Sequence, residues 1–141
     1  MTPNELAEAC AQSMWSRDTA SQDLGMSLDH VEAGRAVMSM SVTKSMTNGH
    51  GTCHGGYLFT LADSAFAFAC NTYNQVTVGQ HCTVSYLAPA YLGDRLTATA
   101  SERSRAGRSG LYDVTVSNQT GGIIAEFRGN SRTTKGTILP E

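Results

Sequence analysis

The chain has 141 residues, of which 40% are hydrophobic and 16% charged, and its formal net charge is −2 at pH 7. That length suits a single domain able to bury a proper core, and the near-neutral charge excludes a basic nucleic-acid-binding protein. No apolar run is both long and uncharged enough to span a bilayer, so no membrane partner is expected.

In chain order, residues 1–22 read as an N-terminal helical segment. Thr2 is placed as N-cap and Pro3 at the first helical position, and Glu5 completes a capping box. Leu6, Cys10 and Met14 then recur on one face. This stretch lacks the basic region and long apolar run of an export signal. The four cysteines, Cys10, Cys53, Cys70 and Cys82, are scattered without a CxxC pair. That usage fits a reducing compartment and a cytoplasmic location. Residues 24–32 and 35–43 follow as a predicted hairpin turning at Ala33-Gly34.

The stretch from Asn48 to Gly56 (NGHGTCHGG) alternates glycines with polar donors and reads as a turn. Gly55 and Gly56 leave the first N–H groups of the next helix uncovered by side chains. Those groups have no intrahelical acceptor and carry the positive end of the helix dipole, so they form a ready oxyanion site. His50, Cys53 and His54 lack a fourth ligand and match no zinc spacing, so no metal is expected. Cys53 with His54 or His81 would make a nucleophile–base pair, but adjacent side chains rarely point at each other productively. His30 and His81 read as ordinary turn and sheet residues.

Residues 57–71 (YLFTLADSAFAFACN) form the predicted central helix, apolar or small almost throughout, with Asp63 at its middle. Burying an unpaired carboxylate is costly, so such a group persists with a partner or a task. Gly56, Thr60, Asp63, Ala67 and Cys70 or Asn71 fall on one small or polar stripe. A ligand or another backbone approaching that stripe is one reading, and a crowded helix-on-sheet contact is the other. Asp63 lies roughly 10–12 Å along the axis from Gly55 and Gly56 at ~1.5 Å per residue. A reacting carbonyl must sit about 3 Å from both the oxyanion donors and the attacking group. One helix cannot easily supply both, which points to a homodimer pairing the Gly55 turn of one subunit with Asp63 of the other.

Beyond the helix the period changes to two. In residues 76–87, Val76, Val78, Cys82, Val84 and Tyr86 share one face, and Cys70 and Cys82 read as small core residues. Strands at 95–105, 111–118 and 123–131 follow, with turns at Gly93-Asp94, Gly107–Gly110 and Gly121-Gly122. Only Arg17, Arg35 and Lys44 of the ten basic residues fall before residue 71. In the second half Arg103, Arg105 and Arg108 gather around a turn. They would serve either as a phosphate-binding group or as a charged strand edge that blocks aggregation. The order of helix, two strands, long helix and four strands is an α+β plan for one domain over residues 1–141, with 136–141 as a loose tail.

The runs Asn48-Gly49-His50, Cys53-His54-Gly55-Gly56 and Leu61-Ala62-Asp63 resemble the signature of hotdog-fold acyl-CoA thioesterases, and more narrowly the PaaI type associated with phenylacetic acid degradation. The similarity extends through Thr83–Pro89, Gly93–Ala98, Leu111–Val114 and Phe127–Gly129. It implies a long helix wrapped by a curved antiparallel sheet of five to six strands, with subunits paired into dimers and often tetramers. The substrate would be acyl-CoA, favouring aryl-acyl groups such as phenylacetyl or its hydroxylated forms, with no cofactor beyond the CoA that the substrate brings. Carried over by position, Asp63 attacks the thioester carbonyl or activates water, and Gly55 supplies the oxyanion N–H. His54 polarises the thioester region, and Asn48 orients the nucleophile or its water. Gly56 and Tyr57 are placed at the substrate, with Leu58, Leu61, Met38 and Met40 as candidate acyl-cleft wall, ordinary core packing being the other reading for most of these, and Arg103, Arg105 and Arg108 as candidate CoA-phosphate ligands. A hydroxyacyl-thioester dehydratase on the same fold, built on His54 with Asp63, and a non-catalytic acyl-CoA-binding regulator are the alternatives.

Overall fold

Six strands build one curved antiparallel sheet in the order β1-β2-β4-β5-β6-β3, and one long helix lies against it. The computed structural model describes residues 1–140. The elements are α1 (Pro3–Trp15), α2 (Thr19–Asp23), β1 (Ser27–Glu32), β2 (Arg35–Ser41), α3 (Gly55–Cys70), β3 (Thr77–Tyr86), β4 (Arg95–Ala106), β5 (Ser109–Ser117) and β6 (Ile123–Thr133). This is the hotdog plan of a helix wrapped by a sheet.

Each boundary has a local cause. The Thr2 hydroxyl accepts the Glu5 N–H at 3.1 Å, and the Glu5 carboxylate accepts the Thr2 N–H at 2.9 Å, closing the capping box at the start of α1. The N-terminal segment is two helices rather than one. Asp18 caps α2 by accepting the Ser21 N–H, a competing local bond that breaks the helical run after Trp15. At the other end of the chain, residues 136–139 are fastened rather than loose. The Gly136 carbonyl accepts the Val76 N–H, and the Asn74 side chain accepts the Leu139 N–H. Glu141 lies outside the described residues.

The core sits between α3 and the sheet. Leu58, Leu61, Ala62, Ala65, Phe66, Phe68 and Ala69 of α3 are buried, facing Met38, Met40, Leu96, Tyr112, Val114 and Phe127. Each large apolar side chain buried there contributes on the order of 1.5–3 kcal/mol. Met38 and Met40 are fully buried core residues and not the wall of an open cleft. Phe66 fixes the rotation of α3. Its ring packs 5.7 Å from Tyr112 and 5.8 Å from Phe127, over backbone that must be glycine. A Cβ at Gly129 would come within 2.8 Å of the ring, and one at Gly79 within 3.1 Å.

β3 departs from simple alternation. A bulge between Gly79 and His81 shifts its register against β6. Val78 therefore leaves the apolar face and is 49% exposed, while Cys82 and Val84 stay half-buried toward the core. β3 pairs only with β6, so its other side is an open sheet edge ten residues long.

Because the Phe66 ring has no room to move, Gly129→Ala should destabilise the fold by about 1–3 kcal/mol. Gly49→Ala, where a Cβ would meet nothing within 4 Å, should stay within about 0.5 kcal/mol of wild type. Urea unfolding of the two variants checks both values.

Candidate active site

The entrance to α3 is a helix start with no side-chain cap. His54 occupies the N-cap position, and its side chain makes no capping hydrogen bond. Among the described residues nothing accepts the Gly55 and Gly56 N–H groups. The turn that delivers them is pinned by its own backbone: the Met46 carbonyl accepts the His54 N–H at 2.7 Å, and the Ala90 carbonyl accepts the Cys53 N–H at 2.7 Å. Asn48 organises the same turn. Its Oδ1 accepts the His50 N–H, the Thr52 N–H and the Thr52 hydroxyl. Gly51, at φ +78°, supplies the left-handed step the turn requires.

A cavity of about 380 Å³ opens beside this helix tip, lined by Thr52, Cys53, Gly55, Leu58, Tyr86 and the 87–90 segment. Tyr86, like Val78, is misplaced by reading from periodicity. Instead of turning into the core it is 51% exposed and lies over Gly55. Its hydroxyl donates to the Gly55 carbonyl at 3.1 Å. An ideal Cβ on Gly55 would sit 3.0 Å from the Tyr86 ring, so the ring must give way to admit any larger residue there. The wall at 87–90 had no signal in the alternation, because β3 has already ended there.

Asp63 lies two turns further along α3, half-buried. Among the described residues it forms no ion pair and accepts no hydrogen bond, and burial alone raises its pKa above the ordinary carboxylate range. Its charge also reaches two thiols. Burial first, with the Asp63 carboxylate adding to it, pushes Cys70 up to about 12 and raises Cys82 on β3. The carboxylate therefore sits on the flank of α3 nearest the open edge strand. Its neighbours on the small stripe, Thr60 and Ala67, are also only partly buried, and Gly56 is exposed. The stripe is thus not the crowded helix-on-sheet contact; that contact is made by Phe66 against Gly79 and Gly129.

The structure thus gathers Asn48, His54, Gly55 and Gly56 at one end of α3, with Leu58 in the cavity and Tyr57 half-buried beside it. Asp63 is held about 12 Å away along the axis. The three arginines are not brought together. Arg103 reaches Asp113 at 3.5 Å, and Arg105 lies 3.4 Å over the Tyr73 ring with Glu102 4.0 Å away. The bulge between Glu102 and Ser104 turns these neighbours apart, and Arg108 sits at the tip of the β4–β5 hairpin. Cys53 is buried with its pKa raised, the opposite of an activated thiol. Among the described residues no three His, Cys, Asp or Glu side chains converge as metal ligands, and no helix is long and apolar enough to cross a membrane.

The hotdog scaffold that carries these residues recurs in known proteins. Residues 50–125 match the thioesterase superfamily. The chain is 44% identical to the acyl-coenzyme A thioesterase PaaI of Escherichia coli K12, over 93% of this chain and 94% of that one. The structure of the E. coli PaaI protein from the phenylacetic acid degradation operon superposes with a TM-score of 0.95 at 41% identity, over 96% of this chain and 99% of that one. A Streptococcus mutans protein solved with bound acetyl-CoA superposes at 0.76 with 25% identity, covering 79% and 90%. The chain belongs to the thioesterase superfamily, as a PaaI-type acyl-CoA thioesterase.

The contact between Gly55 and Tyr86 is open to a direct test. Gly55→Ala should lower Tm, and adding Tyr86→Ala should remove most of that penalty. A double-mutant cycle by thermal unfolding should give a coupling of about 1 kcal/mol or more.

Proposed function

We propose that this enzyme hydrolyses aryl-acyl-CoA, of the phenylacetyl or ring-hydroxylated phenylacetyl kind, to the free acid and CoA at sites shared between two copies of the chain. The observation that carries the reading is Asp63: a half-buried carboxylate without a partner, facing an unpaired strand edge. Its own helix tip is too distant to serve the same carbonyl. Pairing β3 with its two-fold copy would satisfy the open edge and lay the two α3 helices antiparallel. Asp63 would then confront the partner subunit's Gly55. A dimer is the minimum unit, and the exposed Leu87, Tyr91, Leu92 and Ile123 offer apolar surface for pairing dimers into a tetramer.

In that site the thioester oxygen is received by the uncapped Gly55 N–H, with the Gly56 N–H beside it. The Asp63 carboxylate attacks the carbonyl carbon or takes a proton from the water that does. The new C–O bond forms, the C–S bond breaks, and CoA leaves as a thiolate; where Asp63 itself attacks, water then cleaves the acyl-Asp63 anhydride, releasing the free acid and restoring the carboxylate. Thiolate is a good leaving group, so one positioned acid and one oxyanion donor suffice, each worth roughly 10²–10⁴-fold. His54, at the N-cap, flanks the thioester. Asn48 spends its Oδ1 on the turn and leaves its amide Nδ2 to orient the nucleophile. The cavity with Leu58, Leu87, Pro89 and Ala90 on its walls suits an apolar acyl group, and the similar E. coli protein comes from a phenylacetic acid degradation operon. No cofactor is needed beyond the CoA of the substrate. The four cysteines are free thiols, which suits a cytoplasmic setting. A dehydratase would use His54 with Asp63 in the same shared site, and the similarity to acyl-CoA thioesterases supports hydrolysis instead.

Asp63→Asn should reduce kcat/KM by at least ~10²-fold, followed as free-thiol release, with the oligomer intact by size-exclusion chromatography. Comparable turnover by the two proteins, or full activity in a diluted monomer, would overturn the reading. The pH dependence follows from the same group. Its raised pKa places the acid limb of kcat/KM above the ordinary aspartate value. A folded-state pKa above the unfolded one means that the folded form binds the proton more tightly. Ionised Asp63 therefore costs stability at neutral pH, and that stability returns as pH falls through the raised value. Asp63→Asn should melt higher than wild type at pH 7, with the gap closing on acidification.

A further inference from the structure

A second hollow, of about 470 Å³, lies at the opposite end of the sheet from Gly55, between the β4–β5 hairpin and the end of β6. Arg108, Arg132 and Lys135 line it with Gln75, Thr133 and Thr134, and no acid does. Apart from Lys44, the other cations are engaged, Arg17 by donating to the Ser13 hydroxyl. Arg35 pairs with Glu32, Arg103 and Arg128 with Asp113, and Arg105 with Glu102, while Arg95 donates to Ser27, Ser39 and Ser41. Among the described residues Arg108, Arg132 and Lys135 form no ion pair, and they share one concavity in a chain of net charge −2. The rim is firmly built: the Arg108 carbonyl accepts the Thr133 N–H at 2.8 Å, and the Val76 carbonyl accepts the Thr134 N–H at 2.7 Å. Three unpaired cations with hydroxyl groups beside them suit a polyanion such as a phosphate ester.

Within one chain this hollow cannot serve the Gly55 cavity. It adjoins the Thr77 end of β3, and the cavity adjoins the Tyr86 end, about 30 Å away at ~3.3 Å per residue. Two-fold antiparallel pairing of β3 reverses that relation. It brings the Thr77 end of one strand alongside the partner's strand at and beyond Tyr86, where the cavity wall begins.

We propose that Arg108, Arg132 and Lys135 hold the nucleotide phosphates of the CoA whose thioester sits at the partner subunit's Gly55. The inference rests on the thioesterase reading and on the β3 pairing above. It replaces the trio of Arg103, Arg105 and Arg108, two of which are held by acids.

The test compares an acyl-CoA with the matching acyl-pantetheine thioester, which lacks the nucleotide. For R108A/R132A the ratio of kcat/KM on the CoA ester to that on the pantetheine ester should fall at least ~10-fold, through KM. R108K/R132K should keep most of the ratio. Added NaCl should lower the wild-type ratio and leave that of R108A/R132A nearly flat. An unchanged ratio in R108A/R132A, or an equal loss on both esters, would overturn the assignment. A wild type that hydrolyses neither ester, or an active Asp63→Asn, would instead sink the thioesterase reading itself.

Discussion

Asp63 is held half out of water with no donor to balance it, on a helix that cannot turn to give it one. A carboxylate in that position would normally gain a hydrogen bond, rotate into solvent or take up a proton. α3 is prevented from rotating by Phe66, whose ring fills the space left by Gly79 on β3 and Gly129 on β6 and touches Tyr112 and Phe127. The strain of the site is therefore supported by the core. Apolar packing on one side of the helix keeps an unfavourable charge in place on the other, as expected where stability is traded for chemistry.

The same rigidity separates the two groups to which the proposed reaction assigns roles. A helix rises by a fixed ~1.5 Å per residue, so the uncapped N–H groups at Gly55 and the Asp63 carboxylate stay about 12 Å apart whatever side chains surround them. The turn before α3 is equally fixed, through backbone bonds to Met46 and Ala90 and the three bonds accepted by Asn48. Neither end can move toward the other. Under the proposed reading, completion of the site would fall to a second chain, and the edge of β3 offers the unpaired backbone groups through which it would arrive.

Much of this was legible in the sequence, and the exceptions have physical reasons. The capping box at Thr2, the six strands and the central helix follow from local pattern. So do the glycine pair and the lone acid, because an acid amid apolar residues and glycines at a helix start are strong local signals. Reading failed where geometry is set by a partner strand. The bulge at Gly79–His81 shifts the register of β3, so Val78 leaves the core face that alternation assigned to it. Tyr86, at the end of the strand, turns over Gly55 instead of inward. The bulge after Glu102 likewise splits Arg103 from Arg105, which adjacency in sequence had grouped. Met38 and Met40 take the ordinary core role that the sequence left open beside a place in the cleft, because β1 and β4 flank their strand on both sides.

The sorting of charge across the sheet completes the picture. Asp113 holds Arg128 through two hydrogen bonds, at 2.7 and 2.9 Å, with Arg103 beside it, and this locks neighbouring strands on one surface. Glu102 receives the hydroxyls of Tyr73 and Tyr112 at 2.8 and 3.1 Å and fastens the end of α3 to the sheet. Both clusters satisfy their charges internally, so they have little left to offer a ligand. Around the proposed site, an acid on the flank of α3, two amides at its tip and three cations beyond the start of β3 have no internal partner. These lie on the β3 side or at its two ends. Under the proposed pairing, an antiparallel copy of that strand would bring each of these groups to a complement, so one association would serve the acid, the amides and the cations together.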